Sequence, residues 1–342
     1  MVRGWKVWMA AMTVALLATA AMAAPSGAAG GGNALASCAP AANVEAIIDD
    51  SGSMAVTDGN RLRVQAMDLL INTLPAKTQL GAVEFGSSLF ESQPAADTLF
   101  PPEPVGPNAA TMRSALDSLV QSDNGSTDYN GAFAKADADD PAAQARIFLT
   151  DGAHNQGNYN NTHLNPSGPQ TPTYVIGFSS GLASPSDQAR LQKIASDTGG
   201  QLYQLEDNSQ LQAVMNKIGA ALTCQTPPRE FNDLLKQGQS KTHTIAVGAS
   251  TKLLQIALSW ASPLDRFKLS HLKLIVKGKV FAAARPQVRK LKVKKTNGKT
   301  FATAKVTGLR KGTLRFSVTA AKVASGEPKV NLTTQVGPGS GR

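Results

Sequence analysis

The sequence predicts an α/β fold, a doubly wound and mostly parallel sheet, followed by a smaller all-β sandwich. Three observations carry this prediction. From about residue 43 to residue 222, short apolar runs alternate with helical stripes, as in a parallel sheet covered on both faces. Beyond Thr226-Pro227-Pro228 the runs are short and rich in Val, Leu, Thr and Phe, with Gly, Asn and Pro between them, as in antiparallel sandwiches. The charge changes sign at the same place. Residues 1–224 hold 11 basic and 20 acidic side chains, a net of −9; residues 225–342 hold 23 and 4, a net of +19. Such asymmetry marks two segments with different partners, and 342 residues suffice for two cores.

The chain opens with Arg3 and Lys6, an apolar run from Val7 to about Ala20, and small residues at Ala21-Met22-Ala23. That is the layout of a secretory signal peptide over residues 1–23, with an uncleaved anchor as the alternative. The protein is therefore expected to be secreted, or to sit in the periplasm or cell envelope. The run is short for a membrane span, and no later segment is long enough to be one. Residues 24–37 are small and Gly-rich and read as a flexible leader.

The doubly wound domain is expected over residues 38–225. Val44 to Ile48 reads as a buried strand entering a Gly/Ser loop. Leu62, Met67, Leu69, Leu70 and Leu74 form a helical stripe closed by Pro75, and Leu80 to Phe85 is the next strand. Met112, Leu116 and Leu119 share a helix face, and Ala132 to Ala138 forms a short helix. Strands follow at Arg146 to Thr150, Tyr174 to Phe178 and Gly200 to Gln204. A helix carrying Leu191 and Ile194 stops near Gly199-Gly200, and Leu211, Val214, Ile218 and Leu222 form the last helix, capped by Ser209. A basic sandwich is expected over residues 226–336. Its strands run from Thr242 to Val247, Leu253 to Trp260, Leu272 to Val276, Leu291 to Val293, Phe301 to Val306, Leu314 to Thr319 and Val330 to Thr334. Residues 337–342 read as a flexible tail.

Three separated loops share one chemistry. Asp49-Asp50-Ser51-Gly52-Ser53 follows a strand, Gly125-Ser126-Thr127-Asp128 precedes a helix, and Thr150-Asp151-Gly152 follows a strand. Loops at the carboxyl ends of parallel strands line the crevice at the switch point, so Asp49 and Asp151 should lie close, with Thr127 brought in from a neighbouring connection. Hydroxyls plus carboxylates make an all-oxygen set that suits a hard cation such as Mg²⁺ rather than zinc or copper. Gly52 is expected to let the backbone curl so that Ser51 and Ser53 point the same way. Taken singly, each loop could be a capped turn. Asp50, Asp58, Asp123 and Asp128 crowd the same rim, either as solvated turn residues or as extra negative charge that raises cation affinity.

Asp49-x-Ser51-x-Ser53 with Thr127 and Asp151 resembles the metal-ion-dependent adhesion site of the von Willebrand factor A (VWA) family. Ile47-Ile48 and Phe148-Leu149-Thr150-Asp151-Gly152 agree as flanks, and the resemblance covers about residues 40–224. It implies Mg²⁺, Ca²⁺ or Mn²⁺ held by Ser51, Ser53 and Thr127, with Asp49 and Asp151 acting directly or through water. It also implies a partner with an exposed carboxylate, and a binding or adhesion role rather than catalysis. Domains of this family can couple metal occupancy to movement of the last helix, which a disulfide at Cys224 would restrain.

Cys38 and Cys224 are the two cysteines. Export permits one disulfide between them, worth about 4–5 kcal/mol for so long a loop. The competing reading is a lipid on Cys38 after Leu35-Ala36-Ser37, which would leave Cys224 unpaired. The basic run Arg285, Arg289, Lys290, Lys292, Lys294, Lys295 and Lys299 alternates with Leu291 and Val293, which would put one basic face outward on a strand. That face is either a solvated hairpin or a site for acidic polysaccharide, anionic lipid or nucleic acid, or for docking on the acidic first domain. An extracellular setting favours cell-envelope anions, so no specific nucleic acid is expected, and the first domain would then be mainly a scaffold. Trp260 is either core or ligand platform. None of His154, His163, His243 and His271 has zinc-site spacing, and no Gly-x-Ser-x-Gly elbow accompanies His154 near Asp151, so no enzyme is expected.

Overall fold

The computed structural model describes residues 39–86, 95–119, 125–178, 184–205, 210–225, 228–282, 291–326 and 329–337. The expected signal peptide and leader, the cap Ser209, the side chain of Leu119, and the tail from 338 onward lie outside these described residues.

The first half runs β1 (Asn43–Asp49), α1 (Met54–Thr57), α2 (Leu62–Thr73), β2 (Gln79–Phe85), β3 (Ala96–Pro104), α3 (Val105–Leu119), α4 (Tyr129–Asp139), β4 (Ala145–Thr150), β5 (Thr173–Phe178), α5 (Pro185–Asp197), β6 (Leu202–Leu205) and α6 (Leu211–Leu222). Its sheet has the order β3-β2-β1-β4-β5-β6. All neighbours pair in parallel except β3, which is antiparallel to β2. The sequence order reverses between β1 and β4, so the crevice opens where these two strands end.

Both sheet faces are covered, which is why the strands read as continuous apolar runs. Val44, Ala46 and Ile48 pack on one side with Leu70 of α2, Met112 of α3 and Ile218 of α6. Ile47 packs on the other side with Phe133 of α4, Phe148 of β4 and Ile194 of α5. Two local signals place helix starts. Asp128 caps α4, accepting from the Asn130 amide at 2.9 Å, so that helix begins three residues before Ala132. Ser184 caps α5, with Pro185 in its first turn. The strand β3 was not expected, because Pro101, Pro102 and Pro104 argue against pairing. It lies at the sheet edge, where a missing N–H costs little, and its register with β2 shifts twice.

The second half is an antiparallel sandwich of β7 (Arg229–Leu234), β8 (Ser240–Val247), β9 (Leu253–Ser259), β10 (Arg266–Val276), β11 (Lys279–Ala282), β12 (Lys292–Asn297), β13 (Phe301–Thr307), β14 (Gly312–Lys322) and β15 (Lys329–Gly337). One sheet is β11-β10-β14-β8 and the other β12-β13-β9-β15-β7. Leu254, Ile256 and Leu258 of β9 and Leu314, Phe316 and Val318 of β14 fill the space between them. Trp260 belongs to this core at 2% exposure. The strands β7 and β11 were not expected; both are sheet edges, where apolar patterning is weakest.

The sandwich packs directly on α2 and α6. Leu69 of α2 meets Ala257 and Phe301 in a small buried cluster. Gln212 Nε2 donates to Thr300 Oγ1 at 3.2 Å, and Asn216 Nδ2 donates to Thr333 Oγ1 at 2.9 Å. Gln212 and Asn216 are one helical turn apart, so α6 is apolar toward its own sheet and carries buried amides toward the sandwich. Lys217 pairs with Glu230 at 2.7 Å beside this seam.

Candidate metal site at the ends of β1 and β4

Asp49 ends β1 and Asp151 directly follows β4. These neighbouring parallel strands bring together two carboxylates 102 positions apart in the chain, both fully buried. Ser51 comes with the loop after β1, bridged to Gly125, and the Gly52 amide donates to the Gly125 carbonyl at 2.9 Å. That contact ties the first and second loops together. Thr127 is held from both sides by Asn155, which accepts from the Thr127 amide at 2.9 Å and donates its own amide to the Thr127 carbonyl at 2.9 Å.

The side chains converge. Asp49 Oδ1 accepts from the Ser51 amide at 2.9 Å, and Asp49 Oδ2 accepts from Thr150 Oγ1 at 2.5 Å. Ser51 Oγ lies 3.2 Å from Ser53 Oγ, which donates to Asp151 Oδ1 at 2.7 Å. The hydroxyl of Thr57 donates to the other Asp151 oxygen. A Cβ at Gly152 would lie 3.2 Å from Thr127 Oγ1 and 3.5 Å from Ser53 Oγ, so these two hydroxyls flank one small cradle that Gly152 leaves open. The five predicted positions thus form one cluster. Two carboxylates with three hydroxyls fit a hard divalent ion; a soft metal would want sulfur or imidazole. Among the described residues, no group of three or more His, Cys, Asp or Glu side chains is arranged to hold a metal.

Electrostatics agree with this chemistry. Burial, followed by the charge of Asp151, pushes Asp49 up to about 6, against the hydrogen bonds from Ser51 and Thr150. A site that penalises its own carboxylates gains by admitting a cation.

Several supporting residues were not read from the sequence. Positive φ falls on Gly86 rather than on Gly52; a Cβ at Gly86 would approach the Ser51 backbone to 2.7 Å. Asp50 and Asp58 are not solvated turn residues. Both are buried and share Arg63, through Nη2 to Asp50 at 2.8 Å and Nη1 to Asp58 at 3.1 Å. Asp58 also accepts from the Leu62 and Arg63 amides at 2.7 and 2.9 Å, serving the start of α2. The shared guanidinium ties the loop after β1 to the start of α2. Asp128 is committed to its cap, and Asp123 lies outside the described residues. His154 Nδ1 accepts from the Tyr129 amide at 3.0 Å, and its ring packs against Tyr129 and Tyr159. Burial lowers its pKa, so it is a neutral brace behind Thr127.

The other predicted positions divide. Cys38 lies outside the described residues; Cys224 follows α6, and the Ala41 amide donates to the Leu222 carbonyl at 2.8 Å beside it. Arg285, Arg289 and Lys290 also lie outside. Lys292 and Lys294 share one side of β12, whereas Lys295 is on the other and donates to the Leu269 carbonyl at 2.8 Å. Lys292, Lys294 and Lys295 therefore do not form one face. Lys299 sits in the turn to β13, its amide donating to Gln65 at 3.0 Å.

Among solved structures, the chain is similar to a von Willebrand factor type A protein from Catenulispora acidiphila, at 15% identity and TM-score 0.40, over 81% of this chain and 57% of that one. It is similar to proximal thread matrix protein 1 from the mussel byssus, solved with a zinc-occupied MIDAS motif, at 17% identity and TM-score 0.42, over 59% and 51%. It is also similar to the pilus adhesin SpaC from Lactobacillus rhamnosus GG, at 10% identity and TM-score 0.43, over 88% and 44%. The chain thus spans about half the length of these structures. No curated protein matches it. The model of the von Willebrand factor type A domain matches residues 43–217, the stretch that contains all five converging side chains, and the chain belongs to that family.

Proposed function

We propose that this chain is an exported, non-catalytic binding protein that engages an acidic group of a partner through a divalent cation held by Asp49, Ser51, Ser53, Thr127 and Asp151. The reading rests on one observation: two buried carboxylates and three hydroxyls meet around the cradle at Gly152. Mg²⁺ is the first choice, with Ca²⁺ and Mn²⁺ as alternatives. A bound ion would supply a Lewis-acidic centre with a coordination position open to a partner's carboxylate. The chain's own residues hold and screen that position, with residues 38–225 as the binding module.

Export is supported by the charged and apolar start of the chain, and no helix among the described residues is long and apolar enough to cross a membrane. A Cys38–Cys224 disulfide fits the contact between Ala41 and the end of α6. With the sandwich packed on α6, that bond would make the site fixed rather than switching. Calorimetry with Mg²⁺ or Mn²⁺ tests the site: binding should be lost in Asp49→Ala, and unchanged affinity in a folded variant refutes the assignment. Capture from envelope extract with and without EDTA tests the role; partners retained equally in EDTA would refute metal-dependent adhesion.

A further inference from the structure

Ser53 caps the short helix α1 and Thr57 ends it, the Thr57 amide donating to the Ser53 carbonyl at 3.0 Å. Residues four apart on a helical turn face the same way, and here both hydroxyls meet one carboxylate. Ser53 Oγ donates to Asp151 Oδ1 at 2.7 Å, and Thr57 Oγ1 donates to Asp151 Oδ2. The Thr57 hydroxyl also lies 3.1 Å from the Ser53 carbonyl, which keeps it on this turn. Asp49 is tied in the same manner, Oδ1 by the Ser51 amide at 2.9 Å and Oδ2 by the Thr150 hydroxyl at 2.5 Å. Each of these carboxylate oxygens therefore has a donor of its own.

That pairing restricts what the carboxylates can offer an ion. Asp151 Oδ1 is on the Ser53 side and Oδ2 on the Thr57 side. Chelating one ion beside Ser53 with both oxygens would require the carboxylate to rotate and give up its charge-assisted bond from Thr57. Ca²⁺ gathers about 6–8 oxygens and often takes a carboxylate through both of its own, whereas Mg²⁺ is smaller, keeps water and is satisfied by single oxygens.

We propose that Thr57 is a specificity-determining residue of this site: by holding Asp151 Oδ2 it limits that carboxylate to one oxygen toward the ion, and so selects Mg²⁺ over Ca²⁺. The inference rests on the metal-site reading above, in which Thr57 is not a ligand; it is a positioning residue that acts through Asp151. Thr150 serves Asp49 likewise, but it is fully buried and also lies 3.3 Å from the Tyr129 hydroxyl. Thr57 is half-buried and can be changed alone.

The test is calorimetry of the full chain with Mg²⁺ and with Ca²⁺, for the parent, Thr57→Val and Thr57→Ser, with thermal unfolding in EDTA to confirm that each is folded. The parent should bind Mg²⁺ at least about tenfold more tightly than Ca²⁺, and Thr57→Val, which keeps the shape without the hydroxyl, should shift that ratio about tenfold toward Ca²⁺. Thr57→Ser should retain the parent ratio. Thr57→Ala gives the same comparison if the valine disturbs the fold. An unchanged ratio in the variants without the hydroxyl, a parent that prefers Ca²⁺, or a serine variant that behaves like the valine one would each overturn this inference alone. A parent that binds neither ion would overturn the metal-site reading as well.

Discussion

Glu45→Gln should make the protein more stable at neutral pH, by an amount that grows with pH. Glu45 lies in the middle of β1, fully buried, and neither carboxylate oxygen has a hydrogen-bond partner. One oxygen abuts Gly81, where any Cβ would come within 2.0 Å of it. Burial, then the charges of Asp140 and Asp139, push the group up to about 9, while Arg146 on the adjacent strand offsets only part. Below the unfolded value of 4.5, both states hold the proton and the group costs nothing. Above it the unfolded chain ionises while the folded chain does not, so stability falls by about 1.4 kcal/mol per pH unit until the folded group ionises near 9. At pH 7 the penalty is about 3 kcal/mol. Gln removes that slope but brings an amide with few partners, a roughly pH-independent cost of about 1–3 kcal/mol. The informative quantity is therefore the variant-minus-parent difference across pH. Urea unfolding followed by circular dichroism at pH 5, 6, 7 and 8, in EDTA, should show it rising by about 1.4 kcal/mol per unit. A difference that stays flat with pH would refute the burial argument for Glu45.

Three other outcomes are expected. Because Asp49 must give up its proton to serve a cation, Mg²⁺ affinity should fall about tenfold per unit as pH drops below about 6 and level off above it; calorimetry showing a pH-independent affinity from 5 to 7 would contradict the shift. Gly152→Val should fill the cradle beside Thr127 and Ser53 and abolish metal-induced thermal stabilisation, with metal-free stability measured alongside; full retention of that stabilisation would count against the cradle. Arg63→Ala leaves Asp50 and Asp58 buried without their counter-charge and should cost about 3–5 kcal/mol in denaturant unfolding, whereas Arg63→Ala with Asp50→Asn and Asp58→Asn should recover part of it.

Local periodicity carried much of this protein. Val44 to Ile48 and Arg146 to Thr150 read as buried strands because both faces of the sheet are covered, and the loops after them had to meet at a switch point. The five-oxygen cluster was therefore legible from Asp49, Ser51, Ser53, Thr127 and Asp151, each at the end of a predicted element. A local pattern is blind to partners that depend on which elements share a face. Arg63 looks like any helical arginine until α2 folds under the loop and buries it against Asp50 and Asp58. Gln212 and Asn216 look like the solvated side of an amphipathic helix until the sandwich covers them. Alternation separates Lys292 and Lys294 from Lys295 on β12, but that the Lys295 ammonium reaches the Leu269 carbonyl depends on β10 packing beside that strand. Pattern and spacing select strands, helices and the donors at their ends, because these follow from backbone geometry and short-range sterics. Burial of charge and the seam between the two halves arise from packing between segments tens to hundreds of residues apart, and only the folded chain brings those segments into contact.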